Sequence, residues 1–185
     1  MNLPVNYHEK GKFYLTQTEV ISLMNGAKKS RYSIRNRLII LMMYRHGLRV
    51  SELINLKIKN INFNTNRIWI QRLKNSLSVE HPIKGDEIRA IKRYLRLRKD
   101  NIPYLFINER KEQFTRKAIN YIIKFAAKNT ELDHVNPHML RHSCGYYLAN
   151  KGYDLRLIQD YLGHRDPKHT VIYTQIAGNR FEDLW

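Results

Sequence analysis

The chain has 185 residues, of which 33 are Lys or Arg and 16 are Asp or Glu, so its formal net charge at pH 7 is +17. A hydrophobic fraction of 43% is enough to bury one core, which excludes a mainly disordered chain. No apolar run could span a bilayer, the first residues lack the apolar stretch of a signal peptide, and a single cysteine excludes an internal disulfide. We therefore expect one cytoplasmic domain whose basic surface binds a polyanion, most simply nucleic acid.

Helices are predicted in the first third of the chain, after an N-terminal tail of residues 1–14. Thr16 and Glu19 form the pattern of a capping box, in which each side chain binds the backbone N–H of the other residue at a helix start. Gly47 suits the position just after a helix end, where the backbone takes a positive φ. These signals and the apolar periodicity predict helices over residues 16–27, 31–46 and 50–56.

A β-hairpin is predicted in the middle of the chain. The segment Arg67–Arg72 is rich in β-formers and partly alternates, and Ser78–Ile83 follows it across a turn that contains Lys74. Helical patterns return on either side of a short extended piece, Tyr104–Ile107. They predict helices over residues 86–99 and 115–128.

The C-terminal third is predicted to be helical again. Asn136 and Pro137 suit the N-cap and the first position of a helix that runs to about Asn150. Asp154 and Gly163 suit the start and the end of the next helix, and a last short helix is predicted beyond it. This order predicts one domain of α+β class, mainly α, in which a helical bundle carries a small antiparallel sheet.

Reactive side chains lie beside predicted turns at four places. They are Arg49 just after Gly47, Lys74 at the tip of the hairpin, the group His138, Arg141 and His142, and the pair His164 and Tyr173. Each also has an ordinary structural interpretation. Arg49 could pair with Glu52, Lys74 could be a solvated turn residue, and Tyr173 could be one of the core aromatics in a chain with twelve tyrosines.

Two further chemical interpretations are weaker. His138 and His142 are four residues apart, as metal ligands on a helix would be. However, Met139 occupies the place of the glutamate in a zinc-protease helix, and Arg141 would repel a cation. Cys144 fits a small buried hydrophobe better than a thiolate nucleophile. We therefore expect neither a metal nor another cofactor.

Taken together, the reactive side chains suit phosphoryl transfer. Two guanidiniums can clamp the charge that builds on the nonbridging oxygens of a phosphodiester under attack. A histidine or a lysine can move protons, and a tyrosine can act as a covalent nucleophile. The sequence lacks an acidic cluster of the kind that Mg²⁺ requires, so the chemistry is expected to proceed without a metal.

Four motifs follow one another in a fixed order. They are Gly47-Leu48-Arg49-Val50-Ser51-Glu52-Leu53, His138-Met139-Leu140-Arg141-His142, Leu162-Gly163-His164 and Tyr173. In order and spacing they resemble the boxes of the tyrosine recombinases, the lambda-integrase family of DNA strand-exchange enzymes, over residues 16–174. His81-Pro82 and the runs of residues 136–145 and 157–165 resemble most the small bacterial recombinases that invert fimbrial promoter switches.

The resemblance implies a role for each matching residue. Tyr173 would attack the scissile phosphate, leaving a 3′-phosphotyrosyl bond and a free 5′-hydroxyl. Arg49 and Arg141 would hold the nonbridging oxygens. His138 would assist proton transfer, and His164 would hydrogen-bond the phosphate. Because the covalent bond conserves the energy of the phosphodiester, no ATP would be needed.

The distance along the chain to Pro82 indicates which hairpin residue is the family's lysine. Lys74 stands eight residues before Pro82, as the family's hairpin lysine would, and it is expected to protonate the leaving 5′-oxygen. Arg72 is a near neighbour in the same hairpin. Glu52 matches an acidic position of the first box that supports the site and is not itself catalytic.

The resemblance also implies partners and organisation. The partners are double-stranded DNA, further copies in a homotetramer on two DNA sites, and accessory DNA-bending proteins, with no membrane. Residues 15–185 would form the catalytic domain, without the separate N-terminal core-binding domain of typical integrases. The segment Ala177–Trp185 is expected to pack on a neighbouring subunit on DNA through its apolar anchors Phe181, Leu184 and Trp185.

Three other functions share parts of this pattern. A DNA-binding regulator that has lost catalysis would keep the fold, but the presence of all six expected site residues argues against it. A type IB topoisomerase-like enzyme would share the chemistry, and the match to the fimbrial recombinases argues against that. An integrase of a prophage or mobile element would differ only in its DNA target.

Overall fold

The computed structural model describes residues 12–73 and 76–177. The α-helices of this part are α1 (Gln17–Gly26), α2 (Ser33–Arg45), α3 (Val50–Asn55), α4 (Gly85–Leu97), α5 (Arg116–Lys128), α6 (Pro137–Asn150), α7 (Leu155–Leu162) and α8 (Lys168–Ile176). The strands are β1 (Ile61–Asn62), β2 (Arg67–Ile70) and β3 (Val79–Pro82), which form one antiparallel sheet in the order β1-β2-β3. The α+β class, mainly α, is therefore confirmed.

Some of the expectations concern residues outside this description. Lys74 at the hairpin tip, residues 1–11 of the predicted tail, and the C-terminal anchors Phe181, Leu184 and Trp185 lie outside the described residues. Within residues 12–73 and 76–177, no helix is both long enough and apolar enough to cross a membrane.

Helix starts follow the capping signals of the sequence. At the start of α1 the Thr16 hydroxyl accepts the N–H of Glu19, and the Glu19 carboxylate accepts the N–H of Thr16. Asn136 caps α6 by accepting the N–H groups of His138 and Met139. Because these caps satisfy N–H groups that the first helical turn leaves unpaired, they fix where the helices begin.

The sheet confirms the predicted hairpin and adds one strand. In the hairpin Ile68 pairs with His81 and Ile70 with Val79. Ile68 and Ile70 are buried and alternate with exposed residues along β2, so one face of the sheet covers the core. The strand β1 escaped prediction because its two residues carry no periodicity of their own and depend on pairing with β2.

The core consists of two apolar clusters. The larger one includes buried residues of α1, α2, α4, α5 and the sheet, whereas the smaller one joins α6, α7 and α8. Cys144 and Tyr173 both belong to the smaller cluster. Burial raises the pKa of the Cys144 thiol to about 12, in agreement with the expectation of a buried hydrophobe. Because α8 packs against α6 here, it brings Tyr173 to the helix that carries Arg141.

The described end of the predicted tail, residues 12–14, and the adjoining Leu15 pack against α6, so these three residues do not behave as a separate tail. Leu15 is buried and donates its N–H to the hydroxyl of Ser143 at 2.7 Å. The ring of Tyr14 stacks on Tyr146 with centroids 3.9 Å apart. Three consecutive apolar side chains, which begin at Phe13, give this segment enough apolar surface to dock.

Candidate active site

The first motif forms the turn between α2 and α3. Gly47 follows the end of α2 with a φ of +55°, a conformation that favours glycine, and Arg49 directly precedes α3. Glu52 accepts the backbone N–H of Arg49 at 2.9 Å and its Nη1–H at 2.6 Å. The Arg49–Glu52 ion pair anticipated from the sequence is present. It orients the Arg49 guanidinium and leaves part of that group exposed.

Arg141 lies on α6 and is buried against the ends of two other helices. It is only 2% exposed, and it donates from Nη1 to the carbonyl of Gly47 at 2.5 Å and from Nη2 to that of Leu162 at 2.8 Å. These carbonyls lie at the C-terminal ends of α2 and α7, where the helix dipole is negative. Burial, followed by the charges of Arg72 and Arg49, lowers the pKa of Arg141 to about 10, so the guanidinium stays charged at neutral pH.

Tyr173 lies on α8 with its ring against α6. It is 1% exposed, and its hydroxyl lies 3.1 Å from Nδ1 of His142. A Cβ added to Gly145 would lie 2.5 Å from the Tyr173 ring, so only glycine allows the ring to approach α6 this closely. Burial raises the pKa of Tyr173, although the charge of Arg141 acts in the opposite direction. The phenol is therefore protonated and covered in this conformation.

His164 follows the end of α7 and faces the start of α8. Gly163 ends α7 with a φ of +69°, and a Cβ added there would lie 2.6 Å from the carbonyl oxygen of Leu77, so the hairpin packs directly on this turn. Nδ1 of His164 lies 2.8 Å from the hydroxyl of Thr170, and the rings of His164 and Tyr173 have centroids 6.4 Å apart. Burial, together with nearby arginines, lowers the pKa of His164 to about 3.

His138 and His142 lie on one face of α6. Their rings meet edge to face with centroids 4.5 Å apart. Partial burial, then the charges of Arg141 and Arg49, lower the pKa of His138. Burial, with smaller contributions from His138 and Arg141, lowers the pKa of His142 to about 4. Together with His164, these imidazoles are neutral at pH 7 and can accept a proton or a hydrogen bond.

Arg72 belongs to the same site, although the sequence interpretation treated it only as a neighbour of the hairpin lysine. Its side chain is buried, and it donates from Nη1 to Oε2 of Glu52 at 2.8 Å and from Nη2 to the carbonyl of Tyr161 at 2.8 Å. A signal for this placement exists in the sequence. Arg72 continues the series of buried residues Ile68 and Ile70 at a spacing of two, which points it inward.

The structure brings five of the six expected site residues together, since Lys74 lies outside the described residues. Arg49 and Arg141 meet at Glu52, with the Arg141–Glu52 ion pair at 4.0 Å. His138 reaches the hydroxyl of Tyr173 through His142, and the ring of His164 lies 6.4 Å from the Tyr173 ring, centroid to centroid. His142 was not among the expected site residues, because only the three-dimensional packing of α8 on α6 shows which imidazole meets the phenol.

Metal ligation was also considered from the sequence. Among residues 12–73 and 76–177, no group of three or more His, Cys, Asp or Glu side chains is arranged to hold a metal ion. The donors that do converge are guanidiniums, imidazoles and a phenol. Their N–H groups suit the oxygens of a phosphodiester.

The chain is similar to known recombinases in sequence and in structure. The model of the phage integrase family matches residues 14–180. The type 1 fimbriae regulatory protein FimE of Escherichia coli strain K12 is 42% identical over 178 residues, which cover 93% of this chain and 90% of FimE.

Solved structures give the same result. The crystal structure of XerA recombinase matches with a TM-score of 0.79 and 28% identity, over 100% of this chain and 65% of that one. The XerH site-specific recombinase bound to palindromic difH substrate, in a post-cleavage complex, matches with a TM-score of 0.73 and 28% identity, over 92% of this chain and 52% of that one. The chain thus spans about two thirds of the XerA chain and about half of the XerH chain. By these matches, and by the site described above, the chain belongs to the phage integrase family, the tyrosine recombinases.

Proposed function

We propose that this chain is a site-specific recombinase that cleaves and rejoins double-stranded DNA through a 3′-phosphotyrosine, and that it inverts a promoter-bearing element controlling fimbrial phase variation. One observation carries the chemistry: the Tyr173 hydroxyl is held by His142 of α6, the helix that also carries His138 and Arg141. The likeness to FimE, a fimbriae regulatory protein, supports the biological role. Because its substrate would be chromosomal DNA, we place the protein in the cytoplasm, at the nucleoid.

In the proposed cleavage step, each reactive side chain has a separate role. Arg49 and Arg141 bind the nonbridging oxygens of the scissile phosphate, and their charge stabilises the transition state. The Oη atom of Tyr173 forms a bond to phosphorus while the bond from phosphorus to the 5′-oxygen breaks. The phenol proton passes to the neutral imidazole of His142, which contacts the hydroxyl in this structure, His138 beside it assists the transfer, and Lys74 gives a proton to the leaving 5′-oxygen. Rejoining is the same reaction in reverse, with the 5′-hydroxyl of another strand as nucleophile.

His164 completes the proposed phosphate site. Its low pKa keeps the imidazole neutral, and Nδ1 is already engaged with Thr170, which leaves Nε2 to face the phosphate. The Thr170 hydroxyl can donate a hydrogen bond to Nδ1 or accept one from it. If Nδ1 accepts the hydroxyl proton of Thr170, Nε2 carries the hydrogen and donates to a phosphate oxygen.

Tyr173 must leave its covered position before it can attack. In this structure the side chain is 1% exposed and its ring fills the space above Gly145. A nucleophile has to reach the phosphorus to within about 3–3.5 Å, which requires contact with the DNA backbone. We therefore propose that this conformation is a resting state and that α8 shifts when DNA and neighbouring subunits bind.

Binding to DNA would rest mainly on phosphate contacts. The net charge of +17 is spread over folded elements, including the exposed residues Arg89, Lys92, Arg93 and Arg96 of α4. Each phosphate contact releases counterions, so affinity should fall steeply as salt rises. Accessory DNA-bending proteins would help to bring two distant sites together.

The proposed assembly is a homotetramer on two DNA sites. A groove of about 1030 Å³, lined mainly by apolar side chains, lies between α1, α2, α4, α6 and α7. Ile21, Tyr153 and Leu157 line it and remain exposed by 53%, 49% and 40%. Exposed apolar side chains at a groove mark a surface that a partner covers. Ala177, the first residue of the segment predicted to pack on a neighbour, is buried in the smaller cluster of its own chain. We propose that residues 178–185 of a neighbouring subunit occupy this groove on DNA, the alternative being that they pack on their own chain.

Charge complementarity supports this occupant. The proposed segment carries Glu182 and Asp183 between its apolar anchors. The groove is also lined by Arg37, Arg89 and Arg93. Apolar anchors in the groove and opposite charges at its edge would set the orientation of the segment.

Removal of the anchors tests this assembly. A chain truncated before Phe181 should bind a single site normally but should no longer recombine two sites, because the contact between subunits is lost. Analytical ultracentrifugation on DNA with one site and with two sites gives the number of protomers bound. Normal recombination by the truncated chain would rule out this use of the C-terminal segment.

Covalent capture tests the chemistry. Nicked duplexes that tile the chromosomal DNA around the gene release a short strand on cleavage, which prevents rejoining and traps the adduct. The wild-type chain should form an adduct that survives denaturing electrophoresis, and Tyr173→Phe should form none while retaining DNA affinity, because only the nucleophilic oxygen is lost. An adduct with Tyr173→Phe would show that another residue is the nucleophile. DNA binding without any adduct from the wild type would point to a regulator without catalysis.

A further inference from the structure

Arg72 makes more polar contacts than the proposed chemistry requires of a hairpin residue. Besides the bonds to Glu52 and Tyr161, it donates from Nη1 to the carbonyl of Gly47 at 3.3 Å and from Nη2 to that of His46 at 3.0 Å. Four acceptors thus surround one guanidinium whose side chain is fully buried. An arginine this buried carries a large desolvation cost, so these bonds are needed to keep it in place.

The four acceptors lie in the elements that carry the other site residues. Gly47 precedes Arg49 by two residues, and Glu52 is the carboxylate that orients the Arg49 guanidinium. Tyr161 lies near the end of α7, three residues before His164. The Arg72 side chain also packs against the turn before His164, since a Cβ added to Gly163 would lie 2.9 Å from its Cγ. Arg72 itself lies two residues before the hairpin lysine.

We propose that Arg72 is a positioning residue for DNA cleavage, which sets Arg49 through Glu52 and sets His164 through the end of α7. It touches neither the nucleophile nor, on this proposal, the DNA. This inference rests on the proposed roles of Arg49 and His164. Its effect should appear in the cleavage rate rather than in DNA affinity, because reactive groups displaced by about 1 Å can lose about 10²-fold in rate.

Position 72 requires a guanidinium, because its planar group carries several N–H donors that can reach four acceptors at once. The two terminal nitrogens of Arg72 serve a carboxylate and a carbonyl on one side and two further carbonyls on the other. A lysine would keep the positive charge, but a single ammonium with three donors cannot bridge four acceptors at these separations. A glutamine would lose both the charge and most of the donors.

Arg98 provides a matched control within the same chain. It is also a nearly buried arginine that pairs with one carboxylate, that of Asp100, and donates to backbone carbonyls of Ile102, Tyr104 and Leu105. It lies at the end of α4, and the partners of its guanidinium among the described residues belong to α4 and the segment that follows it, residues 94–105. The Arg98→Gln variant therefore imposes a similar loss of buried bonds at a place unrelated to the site.

The test compares Arg72→Gln, Arg72→Lys and Arg98→Gln in single-turnover cleavage of the nicked substrate at saturating protein, with DNA affinity measured separately. We expect Arg72→Gln to lower the cleavage rate by about 10²-fold and Arg72→Lys by about 10-fold, with affinity within about threefold of wild type. Arg98→Gln should cleave within about threefold of wild type once its melting temperature is known to exceed the assay temperature.

A pH profile separates positioning from general weakening. Three arginines surround the carboxylate of Glu52: Arg72 from the hairpin, Arg49 from the start of α3 and Arg141 from α6. Their charges hold the pKa of Glu52 below its usual value, although burial acts in the opposite direction. Without Arg72 the pKa of Glu52 should rise, and the acidic limb of the cleavage profile should move to higher pH. Arg98→Gln should leave that limb where it is in the wild type.

The outcomes are distinct. If the wild type cleaves and Arg72→Gln cleaves equally well, or if the Arg72 and Arg98 variants lose the same rate without a shifted profile, Arg72 is not a positioning residue. If Arg72→Gln does not fold, Arg72→Lys decides, and unfolding of both would assign Arg72 to stability and overturn the inference. Absence of any adduct with the wild-type chain would instead refute the proposed function, independently of Arg72.

Discussion

Two charged clusters meet at the end of α2, one with an excess of positive charge and one close to balance. In the first, which we name the arginine cluster, the guanidiniums of Arg49, Arg72 and Arg141 surround the single carboxylate of Glu52. Both Arg72 and Arg141 are buried, and the remaining acceptors that they bind are backbone carbonyls. Carbonyl dipoles offset only part of two buried charges.

The second cluster, which we name the histidine cluster, consists of His81, His46, Glu87, Arg45 and Asp86. His81 binds a carbonyl of α7 through Nε2, so its Nδ1 accepts a hydrogen from Nδ1 of His46, 3.1 Å away. Nε2 of His46 lies 3.1 Å from a carboxylate oxygen of Glu87. Arg45 pairs with the carboxylates of Asp86 and Glu87, and the His46 ring lies at the other oxygen of Glu87.

The difference in charge balance suggests that the histidine cluster stabilises the fold, whereas the arginine cluster serves the candidate active site. The histidine cluster satisfies its charges within the chain, which is what a purely structural network requires. The arginine cluster holds three guanidiniums around one carboxylate, and perturbed groups with an unbalanced charge are typical of functional sites. A phosphodiester between Arg49 and Arg141 would supply the missing negative charge.

The largest expected effect comes from removing a charge of the arginine cluster. Arg49→Ala and Arg141→Ala should each lower the rate of covalent adduct formation by about 10²-fold or more, the usual scale for a lost transition-state contact. DNA affinity should fall much less, because many other basic residues hold the backbone. Quenched-flow cleavage at saturating protein measures the rate, and cleavage should persist in EDTA. Normal cleavage by Arg141→Ala would make the motif on α6 purely structural.

The matching change in the histidine cluster should affect stability and not chemistry. Glu87→Gln leaves the buried His46 ring and the Arg45 guanidinium without their carboxylate, and a buried polar group that loses its partner costs about 1–3 kcal/mol. Urea unfolding should show this loss, whereas the adduct rate per folded molecule should stay near that of the wild type. A large loss of rate with unchanged stability would remove the distinction between the two clusters.

Acid should weaken the folded state through His81 of the histidine cluster and through two histidines of the candidate active site. The pKa values of His81, His164 and His142 are lowered to about 2, 3 and 4, in each case mainly by burial. Below the ordinary histidine pKa of about 6.5, the unfolded chain binds protons that the native chain does not, so the free energy of unfolding decreases as pH falls. The melting temperature should drop between about pH 7.5 and about pH 5, and His81→Gln should flatten that drop. A melting temperature independent of pH in this range would contradict these assignments.

Much of this organisation could be predicted from the sequence, because local signals fix it. Asn136 and Gly163 mark helix ends through caps that depend on a few adjacent residues. The spacing of the motifs predicted Arg49, Arg141 and Tyr173 as site residues, and these three side chains lie near one another in the structure.

Contacts between distant segments could not be predicted in this way. His46 and His81 are 35 positions apart, and Arg72 and Tyr161 are 89 apart. Which buried side chains meet across such separations depends on how the hairpin docks on the end of α7. The alternation along the hairpin could have shown that Arg72 points inward, but not what it binds.

The smallest expected effect is the most direct measure of the charge imbalance. Inorganic phosphate should occupy the arginine cluster weakly, and binding to the native state alone raises the melting temperature. We expect an increase of a few degrees in about 50 mM phosphate relative to chloride at equal ionic strength, since weak single-site binding contributes about 1 kcal/mol or less. In Arg141→Ala the increase should be lost because the anion has lost one of its two clamping guanidiniums, whereas in Glu87→Gln it should remain. Equal stabilisation of all three proteins would mean that phosphate acts on the general basic surface, and the arginine cluster would then hold its charges without an anion.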